Sequence, residues 1–266
     1  MSSEGRRRSA APVTPVAAGG PALLLIAHGS RDPRHAATVA ALVERVRALR
    51  PGLEVATAYL DHCAPRIPRV AARLAEADTA AVAVPLLLNR AFHAKHDIPA
   101  ALRACGAALP VADVLGPSSL LLAALDRRLA EAGLDLGSPA VRARTGVVLA
   151  AAGSSDPAAD AATRAVAAEW RRTRGWAAVE VAYASAAGPR VPDAVATLRR
   201  AGAAEVAVSP YLLAPGLLPD RIAGAAAGSA DLLADVLGAA PEVATLLLTR
   251  YDRARRVVAA APALTA

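Results

Sequence analysis

The sequence predicts an α/β protein of two similar lobes from a tandem duplication, each a small parallel sheet flanked by helices. Three observations carry this. First, the chain repeats itself at an offset of 124 residues. LLLIAHGSRDP at 23–33 matches VVLAAAGSSDP at 147–157, AYLDHCAPRIP at 58–68 matches AYASAAGPRVP at 182–192, and AVAV at 81–84 matches EVAV at 205–208. A period this long marks duplicated domains rather than a solenoid. Second, short, near-continuous apolar runs alternate with amphipathic stretches, the pattern of parallel strands covered on both faces. Third, 266 residues with 55% hydrophobic and 20% charged composition exclude global disorder. They suit one large domain or two small ones.

The elements follow in order. Residues 1–21 are expected to be a disordered arm. Arg6, Arg7 and Arg8 imitate the start of a signal peptide, but Pro12, Pro15, Gly19 and Gly20 break the apolar stretch that would follow. The first lobe, 22–135, is expected to hold strands at 22–28, 53–60 and 80–88 and a weaker one at 111–114. Its helices are expected at 34–50, 66–77, 97–106 and 118–132. Ser30, Asp32 and Pro33 supply the start signal of the first helix. Gly and Pro breakers in EAGLDLGSPAVRA, 131–143, mark the boundary. The second lobe, 136–258, repeats the order, and 259–266 form a tail. With aromatics at 3%, the core must be built from Ala, Val and Leu.

Composition also excludes function classes. Two cysteines, Cys63 and Cys105, rule out a disulfide framework and a four-cysteine zinc site. No apolar run of about 18 residues exists, so no membrane span and a cytoplasmic location are expected. A net charge of +7 raises nucleic acid as a partner. The arginines, however, are spread over many helices without aromatic interleaving, and an anionic small substrate fits equally well. Both G-x-G-x-x-G and the Walker lysine are missing, which argues against a nucleotide.

In a parallel α/β sheet, ligands bind beyond the carboxyl ends of the strands. That rule selects His28, Asp61 and His93, two imidazoles and a carboxylate expected to converge on one crevice. Such a set binds a divalent first-row metal or accepts protons near neutral pH. The second copy is an internal control: the offset places Ala152, Ser185 and Leu217 at these three positions. Fold-forming residues such as Gly153 and Pro189 persist while the reactive ones are gone, so one lobe is expected to act and the other to support. His35 is expected on an exposed helix face. His62 reads either as a partner of Asp61 or as a plain loop residue. His96, one helical turn from His93, either helps deliver metal or does not. Cys63 is a soft ligand or, more simply, a buried thiol, and Cys105 reads as core. GSRD at 29–32 either holds an anionic group or caps a helix.

LLLIAHGSRDP, AYLDHCAPRIP and VPLLLNRAFHAKHDIP together resemble the sirohydrochlorin chelatases of the class II chelatase superfamily. The resemblance covers nearly the whole chain past residue 21. It implies insertion of Fe2+ or Co2+ into sirohydrochlorin, for sirohaem or cobalamin, with the metal as substrate and no permanently bound cofactor. It places the family's two active-site histidines at His28 and His93. Asp61 stands where the family usually has Glu, one methylene shorter, and Ala91 where it usually has Gly. The implied metal set is His28, His93 and Asp61; the two histidines would also take up protons as the metal transfers, and Asp61 would balance charge and bind metal or relay protons. Ser30, Arg31, Arg90 and Lys95 are the implied holders of substrate carboxylates, with Arg66 beside them, and Leu87, Leu88 and Phe92 supply apolar contact. Ligation needs neutral imidazoles, so activity is expected to fall below about pH 6. A two-lobed chain completes its own cleft, so a monomer is expected. The rival readings are a porphyrin ferrochelatase of the same superfamily and a non-catalytic metal or tetrapyrrole carrier.

Overall fold

Leu23, Leu24, Leu25 and Ile26 are all fully buried, so their strand must be covered on both faces. The computed structural model describes residues 20–89, 96–107, 109–186 and 188–260. The first half contains β1 (Ala22–Ala27), α1 (Pro33–Leu49), β2 (Val55–Tyr59), α2 (Ile67–Glu76), β3 (Ala81–Pro85), α3 (Ile98–Ala104) and α4 (Ser119–Glu131). A short helix, α5 (Pro139–Arg144), bridges the halves. The second half contains β4 (Thr145–Ala151), α6 (Pro157–Arg174), β5 (Ala178–Tyr183), α7 (Val191–Arg200), β6 (Glu205–Pro210), α8 (Leu217–Ala226), β7 (Leu232–Leu233) and α9 (Pro241–Ala260). Both sheets are parallel, in the orders β2-β1-β3 and β5-β4-β6-β7. The α/β class and the duplicated pair of sheets are those expected.

Alternation along each central strand divides the core. Leu23, Leu25 and Ala27 join Val147, Leu149 and Ala151 in one large cluster with residues of α1, α4, α6 and α9. Leu24 and Ile26 face α2 and α3 on the other side, and Val148 and Ala150 face α7 and α8. The molecule is therefore five layers deep, with two sheets sharing a middle layer of helices. Trp170 and Trp176, edge to face at 5.9 Å, fill that layer where Ala, Val and Leu leave room.

Three details differ from the sequence reading. The strand expected at 80–88 stops at Pro85, and the one at 111–114 shrinks to a single bridge between Ala83 and Val111. Its counterpart is β7, where Leu232 pairs with Ala207, so the repeat has lost three residues by this point. The expected breaker segment contains α5, started by Pro139 and the cap Ser138, whose hydroxyl accepts from the Val141 amide. Finally, α4 and α9 pack across the halves. α9 lies on α1 and β3 of the first sheet, and α4 lies on β6 of the second. Buried Asp126 of α4 accepts from Trp170 Nε1 of α6 at 2.8 Å. Arg50, at the C-cap of α1, holds Asp252 of α9 at 2.7 Å. Among the described residues, no helix is long and apolar enough to cross a membrane.

Candidate active site

Both central strands end against the same space. A cavity of about 850 Å³ lies between the sheets, lined from one side by His28, Gly29, Ser30, His35 and Leu86–Asn89. The other wall is built from Ala151–Asp156, Asp160, Thr163, Tyr183 and Tyr211. Its size is that of a site for one sizeable organic ligand. Asn89 donates to the Thr163 hydroxyl across the gap at 3.2 Å. At the rim, Arg34 of α1 pairs with Asp220 of α8 at 2.6 Å.

His28 leaves the end of β1 and faces this cavity. Its Nδ1 lies 3.0 Å from the Gly29 carbonyl oxygen. An Nδ1–H donated to that carbonyl favours the tautomer with its lone pair on Nε2. The turn after His28 is fixed by a close approach: Gly29 has φ +91°, and a Cβ there would lie 1.8 Å from the Asp61 carbonyl oxygen. Gly153 repeats this at φ +89° against the Ser185 carbonyl. That is why both glycines persist while His28 became Ala152. Asp32 and Asp156 then cap α1 and α6, accepting from Arg34 and Ala158 amides at 2.9 Å.

Asp61 lies beside His28, its amide donating to the His28 carbonyl at 2.8 Å, but its carboxylate takes other partners. Its half-exposed carboxylate pairs with Arg66 at 2.9 Å and accepts from the His62 amide at 2.8 Å, and it is not part of the cavity lining. The His62 amide hydrogen bond, followed by Arg66, holds the Asp61 carboxyl below its usual range. The His62 ring stands 3.6 Å from Asp61 and, centroid to centroid, 6.4 Å from His28. His62 thus stands between Asp61 and His28, outside the cavity lining. Arg66 is engaged with the Leu60 carbonyl as well, and Arg31 is exposed and outside the lining. Ser30, Leu87, Leu88 and His96 line the cavity. Arg90, Phe92, His93 and Lys95 lie outside the described residues. Cys63 donates to the Ser30 carbonyl at 3.1 Å, tying the two loops together. Cys105 is bonded within α3.

The sequence reading missed two features. His35 lines the cavity instead of facing solvent. Burial, then the proximity of His28, lowers its pKa, with Asp32 acting in the opposite direction. The offset of 124 pairs it with Ala159, a signal that was available in the sequence. On the opposite wall, Tyr183 donates to Asp160, which Arg164 also holds at 2.9 Å. Burial and that hydrogen bond push the Tyr183 hydroxyl up to about 12, and the Tyr183 hydrogen bond lowers the Asp160 carboxyl.

Comparison with known proteins adds to the geometry. The CbiX family model matches twice, over residues 22–132 and 146–254. A sirohydrochlorin ferrochelatase of Priestia megaterium is 30% identical over 210 residues, 76% of this chain and 76% of its own. A sirohydrochlorin cobaltochelatase of the same organism is 27% identical over 221 residues, 75% of this chain and 66% of its own. The structure of SirB from Bacillus subtilis with Fe3+ superposes with a TM-score of 0.76 at 23% identity, covering 90% of this chain and 97% of that one. At that identity the superposition speaks for the fold.

Proposed function

The chain belongs to the CbiX family, and on that premise we propose that it is a chelatase inserting a divalent metal, Fe2+ or Co2+, into sirohydrochlorin. The observation that carries the reading is His28 at the end of β1, facing an 850 Å³ cavity whose opposite wall offers Ala152 at the equivalent position.

Metal insertion needs no covalent nucleophile. The macrocycle loses two protons and gains one divalent ion. In this reading His28 and His93 ligate the incoming ion and take up protons as it passes on. Asp61 acts from behind His62, polarising that imidazole rather than touching the metal. Leu86, Leu87 and Leu88 offer the apolar surface that a nearly aromatic-free chain must use against a flat ring. The substrate carboxylates meet Ser30 and the capped start of α1 on one wall, and Ser154, Ser155 and the start of α6 on the other. Arg90 and Lys95 remain the proposed cationic partners. Both halves of one chain line the cleft, which supports activity as a monomer.

Absorbance-monitored insertion of Co2+ and Fe2+ into sirohydrochlorin tests this. His28→Ala and His93→Ala should each lose at least about a hundredfold in turnover while keeping the wild-type melting profile. Full activity in both variants refutes the assignment. A panel with dicarboxylate and tetracarboxylate porphyrins separates the porphyrin ferrochelatase alternative, and stoichiometric binding without turnover would identify a carrier.

A further inference from the structure

The duplicated lobes differ at a second cavity-facing histidine. His35, in the first turn of α1, lines the cavity, and its repeat-mate Ala159 lines the same cavity from the other lobe. Ala159 is buried and serves the fold without a polar group. An imidazole is therefore not what packing demands at this position.

The surroundings of His35 sharpen the point. Its Nδ1 is buried and, among the described residues, has no hydrogen-bond partner. A buried polar atom left unsatisfied is costly to a fold, and an ion or ligand that takes it up is one way the cost is relieved. His35 and His28 also share a smaller pocket of about 40 Å³, which adjoins the cavity through Leu86 and Leu213. The pocket is otherwise lined by groups such as Val39, Leu42, Leu86 and Leu213, and by Thr38, whose hydroxyl already donates to the Arg34 carbonyl. That volume holds an ion with a water and is far too small for a tetrapyrrole. Two imidazoles in an apolar pocket suit a first-row divalent metal better than Mg2+ or Ca2+, which prefer oxygen.

We propose that His35 is a further metal-binding residue, holding the divalent ion with His28 in this small pocket beside the cavity before the macrocycle takes it. What becomes of the ion afterwards rests on the chelatase reading; the binding itself does not.

The test is titration with Co2+ alone, without tetrapyrrole, followed by calorimetry and by the visible absorption of bound Co2+. Wild type, His35→Ala, His35→Gln and His28→Ala are compared. Both His35 variants should bind Co2+ at least about tenfold more weakly, with an altered absorption band. Their melting temperatures should stay within a few degrees of wild type, since Ala159 shows that alanine suits this position. The Gln variant decides if the Ala variant is unstable. Wild-type affinity and spectrum in the His35 variants overturn the proposal. Failure of the chelatase reading looks different: wild type shows no turnover, yet its Co2+ binding still depends on His35.

Discussion

Gly29→Ala should damage both stability and turnover, and the structure sets the size of each effect. The new methyl would sit 1.8 Å from the Asp61 carbonyl oxygen and 2.9 Å from its carbon. Both are backbone atoms, so no side chain can swing aside. The two loops must part by about 1.2 Å even to reach 3.0 Å. That movement breaks the 2.8 Å bond from the Asp61 amide to the His28 carbonyl, worth about 1 kcal/mol. Holding alanine at φ +91° adds about 1–2 kcal/mol. With the displaced backbone, the loss comes to about 2–4 kcal/mol. For a chain of this size that is a fall in Tm of about 5–15 °C. Gly52→Ala is the control: its φ is +85°, and nothing among the described residues lies within 4 Å, so it should lose only the strain, about 2–8 °C. Gly153→Ala should melt like Gly29→Ala, because its methyl would meet the Ser185 carbonyl oxygen at 2.2 Å. Turnover well below each melting point then separates the lobes. Gly29→Ala moves His28 and should lose more than tenfold, whereas Gly153→Ala moves Ala152 and should stay within a few-fold. Equal melting of Gly29→Ala and Gly52→Ala would refute the close-approach argument. Equal loss of turnover in Gly29→Ala and Gly153→Ala would refute the division of labour.

Asp61→Asn should reduce turnover by less than His28→Ala does, because its carboxylate faces Arg66 and His62 rather than the cavity; a loss as large as that of His28→Ala would place it at the metal. Asp126 tests the joint between α4 and α6. Burial raises its carboxyl above 3.8, against the opposing effects of Trp170 and Arg174, the latter 3.2 Å away but not aligned for a hydrogen bond. The native state then binds the proton more tightly than the unfolded chain, so this group's contribution to stability falls as pH rises through 3.8 towards the raised value. Asp126→Asn removes that slope, and its Tm should rise relative to wild type over that pH range; a difference independent of pH would contradict the assignment.

How much of this was legible in the sequence depends on what each residue had to declare. The repeat, the parallel sheets and the place of His28 follow from patterns along the chain: apolar runs without alternation, a glycine where two loops touch, and an imidazole at a strand end. Asp61 and His35 show the limit of that reasoning. The rule that sites gather beyond strand ends locates a Cα, not a side chain. The Asp61 carboxylate turns towards Arg66 because a guanidinium one helical start away competes for it, and no periodicity records that competition. His35 sits in the first turn of an amphipathic helix, where the face towards the core and the face towards a cleft have the same spacing. Only the comparison with Ala159 distinguishes them. The placing of α4 and α9 was invisible for a different reason. Each helix carries an apolar stripe that would fit either sheet, since the sheets are copies. Which one it meets depends on where the connecting loops lead, and the three residues lost before β7 show that these loops have diverged more than the strands. The exchange has a functional consequence. Because α9 braces the sheet that bears His28 and α4 braces the other, the lobe without the histidines still fixes the geometry of the one that has them. The silent copy is retained as half of the active site's frame, and as the wall that faces its substrate.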